Sequence, residues 1–230
     1  MTHPDVWQRA LEIDMIRGFL RPTDRVLDVG CGNGYTTTRV ATDVRDIVGM
    51  DYSTEMVARA RAASALRFEL GDVLTLGPAD FGRFDVAITE RCLINLASWD
   101  EQRRALDNIA SVLVPGGRLI FVEGSRQGRE HLNTLRESLG LSTMPRVWHN
   151  VDFDEDATLA WLGRHFVLEE RRHFGVYDFV ARVVHPLVAA PAAPVYDAPI
   201  NEVAARLSSR LQEFAALSRI LFLVLRKIGS

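Results

Sequence analysis

Short apolar runs ending on an acid alternate along this chain with longer stretches whose apolar residues recur at helical spacing. Val26-Leu27-Asp28, Ile47 to Asp51 and Phe84 to Glu90 are the clearest runs. Runs of this length, bounded by turn residues, predict buried strands. Leu66 to Val73, Arg118 to Glu123, Phe166 to Arg171 and Ile220 to Leu225 bring the expected strands to seven. Between them lie helical patterns. Trp7 to Leu20 is one, and Thr54 to Ala63 is another, with Ser53 as its N-cap. Ser98 and Glu101 form a capping box ahead of Leu106, Ile109 and Leu113, and Pro115-Gly116-Gly117 stops that helix. Asn201 to Ala216 predicts a helix through apolar positions 203, 204, 207, 211 and 214. Strands alternating with helices place the chain in the α/β class.

The first strand opens into the loop Val26 to Gly34, VLDVGCGNG, with glycine at 30, 32 and 34. Glycine accepts positive φ and lets a ligand approach the backbone. A strand, a glycine-rich turn and a helix make a nucleotide-type pocket. A phosphate ligand does not suit it. The third glycine of a dinucleotide fingerprint would fall on Tyr35, and no lysine closes the loop as a phosphate loop requires. Asp28 would repel a pyrophosphate, whereas it suits a cation or a ribose and amino-acid head group. Asp51 lies about twenty residues past Gly30, where doubly wound folds place the acid that holds ribose hydroxyls. A carboxylate can accept both hydrogen bonds of a cis-diol.

The segment 26–34 resembles motif I of the class I S-adenosylmethionine (SAM)-dependent methyltransferases, and so does the Pro115-Gly116-Gly117 turn before an apolar strand. The resemblance covers about residues 20–125 well and the rest loosely. It implies a Rossmann-like seven-stranded sheet, mostly parallel, with helices on both faces and an antiparallel last strand between the fifth and sixth. It implies SAM as cofactor, a molecule with a sulfonium, an ammonium and no phosphate. The cofactor would be held by Asp28, Gly30, Cys31 and Gly32, by Asp51 with Tyr52, by Asp72 with Val73 at the adenine, and by Glu90. The helix from Trp7 would cover it, as in related enzymes.

Composition fits one globular unit spanning residues 1–230. The 25.8 kDa chain is 47% hydrophobic and 25% charged, with a formal net charge of −3, which gives no strong field for nucleic acid. No apolar stretch is long enough to cross a membrane, and the first residues do not read as a signal peptide, so a cytoplasmic protein is expected. Cys31 and Cys92 offer neither a disulfide framework nor metal-ligand spacing. Two inserts, 124–165 after strand five and 172–218 after strand six, are expected to bind the acceptor or form a lid. Ala189 to Pro199, rich in proline, reads as an ordered lid or crossing loop. It and the last helix could equally make a homodimer contact.

Three residues are candidates for chemistry at the carboxyl edge of the sheet. Glu90 ends strand four, Glu123 ends strand five, and His149 falls in Trp148-His149-Asn150 of the first insert. An imidazole can take a proton near neutral pH. Asn150 could orient a hydroxyl and Trp148 could stack on a sugar face. Glu123 and His149 together could bind one divalent ion such as Mg²⁺, although no spacing motif supports it. The insert resembles methyltransferases of polysaccharide and glycan pathways, including those acting on mannoside precursors. This implies O-methylation of a sugar or similar small hydroxylated acceptor. The alternatives are nitrogen or carbon methylation of another metabolite, or a SAM-binding regulatory subunit without turnover. Whether Glu90, Glu123 and His149 converge separates an enzyme from that last reading.

Overall fold

The computed structural model describes residues 5–229. Seven strands form one sheet in the order β3-β2-β1-β4-β5-β7-β6. They are β1 (Arg25–Val29), β2 (Asp46–Asp51), β3 (Arg67–Leu70), β4 (Phe84–Glu90), β5 (Leu113–Gly124), β6 (Phe166–His173) and β7 (Ile220–Lys227). β1 to β5 pair in parallel, while β7 runs antiparallel to both β5 and β6. The Rossmann-like architecture with its antiparallel last strand is therefore present.

The ten α-helices among the described residues are α1 (Val6–Arg17), α2 (Tyr35–Val40), α3 (Thr54–Ala63), α4 (Pro78–Phe81), α5 (Trp99–Val112), α6 (Arg126–Ser138), α7 (Glu155–Leu162), α8 (Gly175–Phe179), α9 (His185–Ala189) and α10 (Pro199–Ser208). A single π-helical stretch, 180–184, joins α8 to α9. Alternate residues of the strands feed two apolar layers, as a period of two requires. Leu27, Val29, Ala87, Leu119 and Phe121 pack against α5 and α7. Val26, Val86, Ile88, Ile120 and Val122 pack against α1, α8 and α10.

Two elements depart from expectation. The last helix stops at Ser208 rather than Ala216, and its buried face is Asn201, Ala204 and Ser208. Val203, Leu207, Leu211 and Phe214 are exposed, so the apolar repeat finds no core to extend it. Phe214 instead takes a left-handed φ of 58° and stacks on Phe179, turning the chain back toward β7. β5 begins at Leu113, ahead of the Pro115-Gly116-Gly117 turn, with a register shift opposite Phe84 and Val86. The proline-rich segment is ordered against α10, where Asn201 donates to the carbonyls of Val195 and Tyr196 at 3.2 and 3.0 Å. No helix among the described residues is long and apolar enough to cross a membrane.

Candidate functional site

The strand order reverses between β1 and β4, and open α/β sheets bind ligands in the crevice at that point, beyond the carboxyl ends. The glycine loop sits there. Gly30, Gly32 and Gly34 adopt φ of 74°, 54° and 75°, a region that L side chains avoid. Their surroundings differ. A Cβ at Gly30 would lie 2.2 Å from Cys92 Sγ, and one at Gly34 would lie 2.6 Å from the Phe68 ring. A Cβ at Gly32 would meet nothing within 4 Å. Two of the glycines thus close internal packing, and the middle one faces open space.

Asp51 organises this loop. Its Oδ2 accepts from the Gly32 N–H at 2.8 Å and its Oδ1 from the Ser53 N–H at 2.9 Å. Each oxygen keeps a second lone pair for another donor. Cys31 is anchored by its N–H on the Met50 carbonyl at 3.0 Å and is buried. Tyr52 beside Asp51 stands 79% exposed. Asp72 is exposed and accepts from the Leu74 N–H at 2.9 Å, while Val73 is buried beneath it. Asp28 has a different setting. It is buried under the loop and takes the Thr37 hydroxyl at 2.5 Å, tying α2 to β1. Burial pushes its carboxyl up to about 7, although the Thr37 bond works the other way.

On the far wall of the crevice a charged cluster joins α1, α2 and β4. Glu90 accepts from the Thr36 hydroxyl at 2.6 Å and pairs with Arg91 at 3.1 Å. Arg91 has a left-handed φ of 50° and pairs also with Glu12 of α1 at 2.8 Å. Gln8 donates to Glu12 at 3.0 Å. Glu12 is fully buried, and desolvation pushes its carboxyl up to about 8 despite Arg91; the Glu90 charge adds to the rise. Arg9, one helical turn before Glu12, lies over the Tyr35 ring at 3.3 Å. Sequence reading missed Glu12, Arg91, Arg9 and Thr36. The signal for the first three was charge inside α1 and just past β4, Thr36 gave none, and the pairing is set by the fold.

Glu123 has a task other than the expected one. It is buried, and its carboxylate accepts from the N–H groups of Cys92, Leu93 and Ile94 at 3.2, 3.0 and 3.2 Å. Burial pushes it up to about 7, against the pull of those bonds. Fully buried and bound to three backbone amides, Glu123 builds the turn after β4. His149 is exposed, its ring edge-on to Trp148, which is 90% exposed. The insert returns to the same turn two residues later, where the Val151 N–H donates to the Ile94 carbonyl at 2.7 Å. Asn150 Oδ1 is buried and accepts no hydrogen bond. Glu123 and the insert that carries His149 thus meet the turn that follows β4 and Glu90. No group of three or more His, Cys, Asp or Glu among the described residues is placed to hold a metal ion.

Residues 26–117 match the family model described as a methyltransferase domain. The chain is 36% identical over 121 residues to a demethylmenaquinone methyltransferase of Beutenbergia cavernae, covering 52% of this chain and 48% of that protein. It is 33% identical over 134 residues to O-methyltransferase rstn1 of Aspergillus nomiae, covering 53% and 57%. The chain thus spans about half the length of these relatives. A solved structure of the N-methyltransferase NodS of Bradyrhizobium japonicum, in complex with S-adenosyl-L-homocysteine (SAH), superposes with a TM-score of 0.59 at 16% identity, covering 97% of this chain and 88% of that one.

Proposed function

We propose that this chain is a class I SAM-dependent methyltransferase that moves a methyl group from SAM to a hydroxyl of a small acceptor such as a sugar or oligosaccharide. The observation that carries the reading is the glycine loop, with the Gly32 backbone open to a ligand and Asp51 beside it. The residues fit the cofactor. Asp51 retains lone pairs for a ribose diol, Asp72 and Val73 stand at the adenine position, and Tyr52 is free to pack on it. Glu90, held at the edge of the crevice, suits a cationic ligand.

SAM supplies an electrophilic methyl carbon when bound. The chain's residues align the acceptor and keep water away, which are the large terms in such a displacement. The Thr36 hydroxyl and Arg91 fix the Glu90 carboxylate at the crevice. In this reading His149 takes the acceptor proton and the unpartnered Asn150 Oδ1 accepts from an acceptor hydroxyl, while Trp148 offers a face for a sugar ring. The likeness to an O-methyltransferase and the unpartnered Asn150 Oδ1 support oxygen as the acceptor atom. The residues 1–230 are read as one unit, with 124–165 and 172–218 serving the acceptor. Glu123 is not proposed as a base or a metal ligand.

The test is methyl transfer from labelled SAM to a panel of small glycans, polyols and amines, run with added Mg²⁺ and with chelator. A product bearing a new methyl ether on a glycan supports the reading. Methylation of amines alone would overturn the choice of oxygen. SAM binding without transfer to any acceptor would favour a binding subunit, the reading to which the enclosed Glu123 lends weight.

A further inference from the structure

The two inserts meet in a groove at the outer end of the sheet. The first turns of α6 and α7, the end of β6 and the turn at 215–217 enclose a cavity of about 440 Å³. Pockets of this size hold small ligands. Its walls come from both 124–165 and 172–218. Strand register sets it level with the crevice. Glu90 pairs with Val122, Glu123 with Leu221, and Leu221 with His173, so β6 ends at the same edge as β4. In the sheet β6 stands three strands from β4, which at about 4.8 Å per strand is about 14 Å.

The polar groups of the groove narrow its ligand. His131 Nδ1 lies 3.2 Å from the Ala216 carbonyl oxygen. A carbonyl only accepts, so Nδ1 carries the proton and Nε2 of the neutral ring is left as an acceptor. The His173 ring and the Asp156 carboxylate have no hydrogen-bond partner among the described residues. Burial and the Arg171 charge hold His173 below the usual imidazole value, so its ring is neutral near neutral pH and offers one acceptor nitrogen. Arg171 gives one nitrogen to Glu155, is 35% exposed in its side chain, and has donors to spare. An anion would meet Glu155 and Asp156, and a cation would meet Arg171. A neutral hydroxyl suits them all, because it donates to an imidazole or a carboxylate and accepts from a guanidinium. Ala215 and Ala216 add an apolar wall for the C–H face of a ring.

We propose that this groove holds a second sugar unit of the acceptor, so that the substrate is an oligosaccharide methylated at one unit and gripped at another. The assignment rests on the sugar reading above. One unit lies by the turn after β4, and the chain runs along the carboxyl edge of the sheet to the end of β6. Contacts so far from the reacting atoms bind the ground state and the transition state alike. They lower KM and leave kcat unchanged.

The test measures methyl transfer from labelled SAM to glucose and mannose oligomers of one to four units, using the full chain. The wild-type KM should fall by about 10-fold or more from the monosaccharide to the tetrasaccharide. Asp156→Ala and His173→Ala should each raise KM for the tetrasaccharide by about 3–10-fold, with kcat and the monosaccharide KM within about twofold of wild type. Neither side chain has a hydrogen-bond partner to lose, so both variants should fold. A wild-type KM that ignores chain length would overturn the groove and leave the sugar reading standing. Equal loss on the monosaccharide and the tetrasaccharide would also overturn it and give the two residues a structural role. Methylation of none of these sugars, with SAM bound, would remove the sugar reading and the groove together.

Discussion

The three loop glycines share a backbone conformation and differ in what surrounds them, so alanine at each separates strain from crowding and from ligand exclusion. A left-handed residue with a Cβ costs about 1–2 kcal/mol, and this applies to all three positions. At Gly32 that is the whole cost to folding, because the new methyl meets nothing within 4 Å. At Gly30 the methyl would stand 2.2 Å from Cys92 Sγ and 2.5 Å from its Cβ. Overpacking of this kind adds about 1–3 kcal/mol, so Gly30→Ala should lose about 2–5 kcal/mol in total. Because the Cys92 Cβ stays in place, Cys92→Ala should rescue Gly30→Ala only in part. Ligand binding should rank the other way among the folded variants. The Gly32 methyl would occupy the space through which the cofactor approaches the backbone, and SAH affinity should fall by about 10–100-fold. Urea unfolding gives the stabilities and calorimetry with SAH gives the affinities. Equal destabilisation of Gly30→Ala and Gly32→Ala would refute the packing argument. Wild-type SAH affinity in Gly32→Ala would refute the placement of the ligand over this loop.

Other residues carry sharp expectations. Asp51→Ala should weaken SAM binding by about 1–3 kcal/mol, since it removes the ribose acceptor and leaves the Gly32 and Ser53 N–H groups without their partner; an unchanged dissociation constant would dismiss the ribose role. His149→Ala should slow turnover by about 10²–10⁴-fold with SAM affinity preserved; wild-type rates would place the base elsewhere. Glu12 predicts a pH dependence of stability. Its folded carboxyl is raised to about 8, so the folded state binds the extra proton. The resulting stability is complete below the unfolded value of about 4.5 and is lost as pH rises through the folded one. Unfolding free energy should therefore fall between pH 5 and 8, on the order of a few kcal/mol, with Asp28 and Glu123 contributing in the same direction. Glu12→Gln should flatten that slope in urea titrations across the range, and parallel slopes would count against the buried Glu12–Glu90–Arg91 arrangement.

Much of the fold was legible because strands of an α/β sheet are short apolar runs and the chain has seven of them. The reversal at β1 and β4 and the antiparallel β7 followed from resemblance, and the register confirms them. The last helix misled because its apolar repeat continues past Ser208 while the fold has already filled the layer with Phe174, Tyr177 and Ala181. A periodic stripe marks a surface that can be buried, and burial itself depends on a partner supplied by another part of the chain.

The candidate site shows the same limit in finer detail. Four strand-end acids looked alike in the sequence, each a carboxylate after an apolar run, and they meet four different fates. Asp28 is spent on the Thr37 hydroxyl, and Glu123 on three amides of the turn after β4. Asp51 holds two amides and keeps lone pairs open, while Glu90 is pinned between Thr36 and Arg91 at the edge of the crevice. A carboxylate at a strand end is a ready acceptor for the unpaired N–H groups of the loop that follows. Such an acid is available for chemistry only where its own loop leaves part of it unused. That remainder depends on loop geometry and on arginines far away in sequence, such as Arg91 answering to Glu12 of α1.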